Sequence, residues 1–157
     1  MSAYSYSGEK QSATLHWICT RTADGRGVVT PRDVLDLITK AKQQQQDEFN
    51  AALTGESPWL IGPKAIQHGL EELSKRKRDT YLRAEFPHLW VHISKFEGGK
   101  TEYDSSSFQK LLGRNWEKIV GDLVSIGVFG KRGKGTESTY WFPYVYRKGL
   151  SLTQGRA

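Results

Sequence analysis

The sequence predicts a mainly α fold in which a helical subdomain, residues 1–55, precedes a second domain, residues 56–157. Apolar residues recur at helical spacing over most of the chain, cap residues precede several of these runs, and near the C-terminus the spacing changes to that of strands. Residues 103–150 predict two short helices and then a hairpin with a basic, glycine-rich tip. This order is typical of a winged helix-turn-helix with a two- or three-stranded β-wing.

The predicted helical subdomain contains two helices. Residues 12–22 carry apolar side chains at helical spacing, and the turn Asp24–Gly27 follows them. The second helix has a clear start, because Thr30 can cap it and Pro31 suits the first helical position. Its predicted apolar face consists of Val34, Leu35, Leu37, Ile38 and Ala41.

The second domain begins after a predicted boundary at Thr54–Pro58, where glycine and proline punctuate the chain. A helix is then predicted from residue 64 to about residue 86. Four consecutive basic residues, 75–78, interrupt its apolar pattern and indicate either a phosphate-binding patch or a solvated stretch. Pro87 ends this helix, and residues 88–96 predict a short one.

The winged-helix prediction depends on the C-terminal elements. Asp104–Ser107 offer cap oxygens to a first helix, which ends at Gly113. A second helix is predicted over Asn115–Ile126, and two strands then flank the tip Gly130–Gly135. The following aromatic residues are interpreted as core and strand-face packing rather than as platforms for bases: Tyr140, Trp141, Phe142, Tyr144 and Tyr146.

The net charge of +6 is unevenly distributed. Residues 1–74 carry 7 Lys and Arg against 9 Asp and Glu, whereas residues 75–157 carry 16 against 8. Basic residues near a phosphate backbone release counterions on binding, so this asymmetry favours an anionic partner for the second half. A solvated basic surface is the alternative.

Several function classes find little support in the sequence. Cys19 is the single cysteine, which excludes an internal disulfide, and no apolar run suffices for a membrane helix, so we expect a cytoplasmic protein. His88 and His92 lack further metal ligands at a suitable spacing. Gly98–Thr101 is similar to the end of a phosphate-binding loop, but Ser94 stands where that motif requires glycine. We therefore expect no catalytic residue, no metal and no cofactor, and a protein that is not an enzyme.

The stretch Gly27–Ala41 resembles the helix of the lid subdomain that follows the nucleotide-binding core in AAA+ and related STAND or KAP-like P-loop ATPases. In those families an arginine near the start of this helix approaches the nucleotide phosphates, so the resemblance implies a phosphate-sensing role for Arg32. Some of these ATPases continue from the lid to a C-terminal winged helix, which is the order predicted here. Because the chain lacks a Walker A lysine motif, the resemblance implies the C-terminal region of such an ATPase without its nucleotide-binding core.

Two functional hypotheses follow. In the first, a non-catalytic winged-helix module binds double-stranded nucleic acid, most simply duplex DNA, through its basic wing. In the alternative, the module makes protein contacts or is autoinhibitory in an ATPase switch, and the wing meets an acidic protein surface. Glu117 and Asp122 count against tight reading of DNA bases, because both would repel phosphates. The predicted nucleic-acid-binding residues are Lys110, Arg114, Asn115, Lys118, Lys131, Arg132 and Lys134.

Overall fold

The computed structural model describes residues 14–52, 60–133, 135 and 138–157. These residues form a mostly helical fold with a small four-stranded mixed sheet, which confirms the prediction of mainly α structure. The predicted domain boundary between residues 55 and 56 lies outside the described residues.

Seven α-helices and four strands make up the described part of the chain. The helices are α1 (Thr14–Thr22), α2 (Pro31–Ala52), α3 (Pro63–Arg76), α4 (Pro87–Ile93), α5 (Ser105–Leu112), α6 (Trp116–Ser125) and α7 (Tyr144–Arg147). A π-helical segment (Lys77–Arg83) continues α3, and a 3-10 turn (Ser94–Phe96) follows α4. The strands are β1 (Lys100–Asp104), β2 (Gly130–Arg132), β3 (Thr139–Trp141) and β4 (Thr153–Arg156).

The first six helices lie where the sequence predicts them, but the end of the chain differs from expectation. The aromatic strand was expected to weaken or end at Pro143, and the structure ends β3 at Trp141 and forms α7 after Pro143. Tyr144, which was interpreted as core or strand-face packing, lies on α7 and is 40% exposed. Pro143 explains the change, because it has no N–H for a strand ladder and it precedes the first residue of α7. The fourth strand, β4, was not predicted.

The sheet has the strand order β2-β3-β1-β4. β3 pairs antiparallel with both β2 and β1, and β4 pairs parallel with β1. Tyr103 of β1 lies opposite Tyr140 of β3, and both side chains are buried. Glu102 and Trp141 are the next opposed pair, and because side chains alternate along a strand they lie on the other face of the sheet.

An aromatic cluster fills the space between the sheet and the helices. The Phe96 ring makes edge contacts with Tyr103, Phe108, Phe129 and Phe142, with centroid separations between 5.0 and 6.0 Å. Such pairs contribute about 0.5–1.5 kcal/mol each beyond the area they bury. The same hydrophobic core includes Ile18 of α1 and Leu37 of α2.

α2 and α3 approach each other closely because their facing residues are small. A Cβ atom on Gly69 would lie 2.4 Å from the backbone oxygen of Leu37 and 3.1 Å from the Cβ of Ala41. Leu37 and Ala41 therefore pack inward as predicted, but Leu35 is 65% exposed and Ile38 lies beside it at the surface. The predicted apolar face of α2 is thus wider than the face that the fold buries.

The four basic residues 75–78 are neither a free patch nor a simple solvated stretch. Arg76 forms an ion pair with Asp36, and the Lys77 Nζ atom lies 2.8 Å from Asp33 Oδ2. The Lys77 and Asp33 side chains are only 14% and 6% exposed, so this pair is largely buried. Asp33 is therefore committed to Lys77, while the Thr30 hydroxyl still accepts the Asp33 N–H bond as the cap of α2.

The predicted turn Asp24–Gly27 joins the N-terminal helices to the end of α6. Asp24 accepts hydrogen bonds from both Arg26 and the Val28 N–H, which fixes the turn. The Gly25 N–H donates to the Gly127 oxygen at 2.7 Å, and Arg26 Nη1 donates to the Ser125 oxygen at 3.1 Å. The turn thereby satisfies carbonyl groups that the C-terminus of α6 would otherwise leave free.

Candidate nucleic-acid interface

The two helices α5 and α6 are joined by a short turn, as the sequence predicts. Asp104 caps α5 by accepting the Ser107 N–H at 2.9 Å. Hydrogen bonds from the Ser107 N–H and the Ser106 hydroxyl, and the charge of Arg156, lower the pKa of Asp104 from 3.8 to about 2. Gly113 ends α5 with a φ of 78°, a conformation that glycine adopts readily. Asn115 precedes α6, but its side chain makes no cap hydrogen bond.

Most of the predicted contact residues lie on these two helices, on the turn between them and on β2. We call this set the α6 surface, and its members are Lys110, Arg114, Asn115, Lys118 and Lys131. All five are exposed. Within the described residues, none of its four cations has a carboxylate at ion-pairing distance.

A row of aromatic side chains connects β2 with the start of α6. The Lys131 ammonium lies 5.6 Å from the Tyr140 ring centroid, and the Tyr140 and Phe108 centroids are 5.1 Å apart. Phe108 in turn stacks on Trp116, the first residue of α6, at 5.9 Å. These contacts place Lys131 on the same side of the sheet as α5 and α6.

Arg132 lies on the opposite side of the sheet, although it is adjacent to Lys131 in the sequence. Its guanidinium is 4.9 Å from the Trp141 ring centroid, and its Nη2 atom is 3.4 Å from Glu102 Oε1. A second ion pair on this side joins Arg156 to Asp104 at 3.4 Å. We call this region the outer sheet face, and its members are Glu102, Asp104, Arg132, Trp141 and Arg156.

The hairpin tip and the exposed side of α6 complete the predicted interface. Lys134, which belongs to the predicted tip, lies outside the described residues. Glu117 and Asp122 are exposed on α6 with Lys118 between them in the sequence. Glu117 lies in the first turn of α6 beside Lys118, so Arg114 in the preceding turn supplies the net positive charge at this helix end.

Arg32 is exposed in the first turn of α2. No carboxylate among the described residues lies at ion-pairing distance from it. The adjacent Asp33 is buried and paired with Lys77, so Arg32 faces solvent while its neighbour faces the protein interior. The phosphate-sensing role of Arg32 stays a prediction.

A second group of basic residues was missed by the sequence analysis. The Cζ atoms of Arg21 and Arg147 lie 3.8 and 4.0 Å from the ring centroid of Tyr144, and Arg21 is also 5.2 Å from the Trp17 centroid. We call Trp17, Arg21, Tyr144 and Arg147 the arginine stack. No spacing in the sequence could reveal it, because α1 and α7 lie at opposite ends of the chain.

The described residues give little support for a metal or membrane site. Across residues 14–52, 60–133, 135 and 138–157, no three His, Cys, Asp or Glu side chains are grouped to hold a metal ion. None of the helices in this part of the chain combines the length and apolar character needed to span a bilayer.

Comparison of the chain with known proteins gave no match. No protein-family model matches it, and searches of curated proteins and of solved structures found no significant similarity.

Proposed function

We propose that residues 87–141 form a winged helix that binds double-stranded nucleic acid with the α6 surface. The order of elements supports this proposal: α4, β1, α5, α6 and the β2–β3 hairpin follow one another along the chain. β1 pairs with β3, so three strands lie in the order β2-β3-β1 beneath the helices. A helix-turn-helix that ends in a hairpin places its second helix where it can meet a duplex.

The four cations of the α6 surface are the observation that carries the proposal. Lys110, Arg114, Lys118 and Lys131 are exposed and have no carboxylate within ion-pairing distance among the described residues, which is also true of other cations such as Lys40 and Arg83. What distinguishes the four is that they lie on the two helices, the turn and the hairpin strand of the proposed winged helix. Such cations can each replace a condensed counterion at a phosphate. The same region is held in place by the Tyr140, Phe108 and Trp116 rings.

The two helix N-termini also differ in a way that supports α6 as the contacting helix. The first amides of α5 are occupied, because Asp104 accepts the Ser107 N–H. The Asn115 side chain gives α6 no equivalent bond, although the Trp116 N–H at the start of the helix donates to the Gly113 oxygen. Arg114 and Lys118 flank this helix end and can contact a backbone phosphate there, while Glu117 in the same turn opposes a closer approach.

The acidic residues on α6 define the kind of binding we propose. Glu117 and Asp122 are exposed along the helix and would approach the floor of a groove if α6 entered it deeply. We therefore propose contacts mainly to phosphates, with little reading of base edges. Affinity should then depend weakly on sequence and strongly on salt.

The test is fluorescence anisotropy with a labelled DNA duplex and the matching single strand at several salt concentrations. The variant to compare with wild type carries Lys110→Gln, Arg114→Gln, Lys118→Gln and Lys131→Gln. The matched control removes four exposed cations from other surfaces, by Lys40→Gln, Lys42→Gln, Lys64→Gln and Arg83→Gln. Both variants have the same net charge, so a general charge effect would weaken both equally.

We expect wild type and control to bind duplex with a slope of log K against log salt of about −0.9 for each phosphate contacted. The variant of the α6 surface should bind at least about tenfold more weakly, with a slope near zero. Equal loss in the two variants would contradict a specific role of the α6 surface. Absence of duplex binding by wild type at low salt would contradict the proposed function.

A second candidate function is a protein-interaction or autoinhibitory module, which the exposed apolar residues of α2 favour. Leu35 is 65% exposed and Ile38 lies one turn further along the same helix. Glu117 and Asp122 on α6 also suit a protein partner better than phosphate. If wild type does not bind duplex, this candidate leads, and a Leu35→Asp, Ile38→Asp variant should then lose the partner. The origin of the chain as an ATPase lid region and its cytoplasmic location also stay predictions.

A further inference from the structure

The arginine stack places two like charges around one ring. Two guanidinium groups with Cζ atoms 3.8 and 4.0 Å from the same centroid must lie on opposite faces of Tyr144, because on one face they would overlap. Attraction to the ring offsets part of their mutual repulsion. Tyr144 is 40% exposed, so the edge between the two guanidinium groups is open to solvent.

The two arginines are positioned, and yet they retain free donors. Arg147 donates from Nε to the Phe142 oxygen at 2.8 Å and from Nη1 to Gln154 Oε1 at 3.0 Å. Apart from its contact with Tyr144, its Nη2 atom has no hydrogen-bond acceptor among the described residues. Arg21 is held by ring contacts with Trp17 and Tyr144 rather than by a carboxylate. Within the described part of the chain, neither guanidinium has an acidic side chain at ion-pairing distance.

The electrostatics of the stack favour an added anion. Burial lowers the pKa of Arg147, and the positive charge of Arg21 lowers it further, whereas Tyr144 and Glu102 raise it. Glu102 is already engaged by Arg132 on the outer sheet face, and Glu71 is engaged by the neighbouring Lys148. Nearby carboxylates are therefore committed to other cations.

We propose that the arginine stack is a phosphate-binding site in which one phosphate group bridges Arg21 and Arg147 at the exposed edge of Tyr144. A guanidinium group donates hydrogen bonds in a fixed planar fork, and a phosphate group offers several acceptor oxygens, so two of its oxygens can each accept from one of the two arginines. The phosphate could come from free phosphate or from a nucleic-acid backbone. The proposal does not depend on duplex binding by the α6 surface.

The test is a titration of the full chain with inorganic phosphate, in which the NMR signals of the arginine Nε–H groups and the tryptophan indoles are recorded at each phosphate concentration. Sodium chloride at matched ionic strength is the control for non-specific screening. We expect saturable shifts of the Arg21, Arg147 and Trp17 signals with phosphate and none that saturate with chloride. Equal responses to the two salts would overturn the proposal.

Two variants separate phosphate binding from a structural role. Arg21→Lys keeps the charge but removes the planar fork, and it should weaken phosphate affinity about tenfold while the fold is retained. Arg83→Lys makes the same exchange at an exposed arginine elsewhere and should leave affinity unchanged. Unchanged phosphate affinity in a folded Arg21→Lys protein would overturn phosphate binding by the arginine stack. Arg147→Lys is not used as the test, because Arg147 also donates hydrogen bonds to Phe142 and Gln154 and its loss would disturb the fold as well.

A short DNA duplex distinguishes the two sources of phosphate. It is added to the variant that lacks the four cations of the α6 surface, so that duplex bound at that surface cannot disturb the result. Saturable shifts of the stack signals would assign the site to backbone phosphate. Shifts with inorganic phosphate but not with duplex would assign it to free phosphate groups, and shifts with neither would overturn the proposal.

Discussion

The α6 surface and the outer sheet face both contain exposed basic residues, but they differ in how their charges are used. On the outer sheet face, Arg132 and Arg156 pair with Glu102 and Asp104, each at 3.4 Å. On the α6 surface, no described carboxylate lies at ion-pairing distance from the four cations. A paired cation has to lose its partner before it can bind a phosphate, whereas an unpaired one loses only water and counterions.

The contrast is sharpest at Lys131 and Arg132, which are neighbours in the chain. Alternation along β2 places Lys131 against Tyr140 and Arg132 against Trp141, so the two charges lie on opposite faces of the sheet. A basic dipeptide in a strand is therefore two separate features. Substitutions can test this difference, first one that affects both the α6 surface and the outer sheet face, then ones that affect a single region, and last one that removes a single ion pair.

The largest effect is expected from Phe96→Ala, which removes support from both regions at once. Phe96 is fully buried and contacts four other aromatic rings. Truncation of a buried phenylalanine costs about 3–5 kcal/mol, because it leaves a cavity and loses the transfer free energy of the ring. The free energy of unfolding from urea denaturation measures this. A cost below about 1 kcal/mol would mean that the cluster is not the common support.

Single changes at the two neighbouring residues should separate the regions. Lys131→Gln is expected to weaken duplex binding and to reduce the magnitude of the salt slope by about 1, as expected for the loss of one phosphate contact. Arg132→Gln should change the slope little, because Arg132 is already paired with Glu102. Anisotropy titrations at three salt concentrations measure both. The reverse ranking would assign the wing contact to the outer sheet face.

The cap of α5 predicts a moderate loss of stability with a defined pH dependence. Asp104→Ala should lower the free energy of unfolding by about 1 kcal/mol, because the Ser107 N–H loses its acceptor. The folded pKa of Asp104 is lowered from 3.8 to about 2, so its contribution is present above the unfolded pKa and is lost as the pH falls through about 2.

Asp104→Asn provides the control for that pH dependence. Asparagine caps a helix about as well as aspartate but does not titrate. The variant should therefore match wild type at pH 2 and show a smaller change in stability between pH 4 and pH 2. Denaturation at a series of pH values measures the difference. Parallel profiles for wild type and Asp104→Asn would show that Asp104 does not contribute to acid unfolding.

The smallest effect on stability, and the most informative for the comparison, is expected from Glu102→Gln. Loss of the exposed ion pair with Arg132 should cost at most about 1 kcal/mol. It should also free Arg132, so that duplex binding at low salt becomes stronger and its salt slope steeper. An unchanged slope would mean that Arg132 is positioned away from the duplex whether or not it is paired.

Much of the secondary structure could be predicted because its determinants are local. Thr30 and Pro31 begin α2, Asp104 begins α5, and Gly113 ends it, each through the backbone of residues close in sequence. The unpredicted elements have determinants that are not local. β4 forms because it pairs in parallel with β1, which lies about fifty residues away in the sequence. The spacing of apolar residues along the chain reports only neighbours within about four residues, so it could not indicate this pairing.

Parts of the candidate site could be predicted for the same reason, and parts could not. The exposed positions of Lys110 and Lys118 follow from helical spacing around apolar residues, and that of Arg114 follows from its place in the turn after Gly113. The separation of Lys131 from Arg132 follows from alternation along a strand, but only the register of the hairpin and its packing on β1 decide which of the two residues faces the helices. The arginine stack requires α1 and α7 to meet, so it was absent from the prediction.

The residues alone specified helix starts and ends, the hairpin, and a second half rich in positive charge. Tertiary structure decided which of those charges are neutralised, because an ion pair such as Lys77–Asp33 or Arg132–Glu102 joins residues that are distant in sequence. Local structure depends on short-range hydrogen bonds and spacing, whereas a charge responds to every group near it in space. The binding surface that we propose therefore consists of cations that the fold leaves without a carboxylate partner among the described residues.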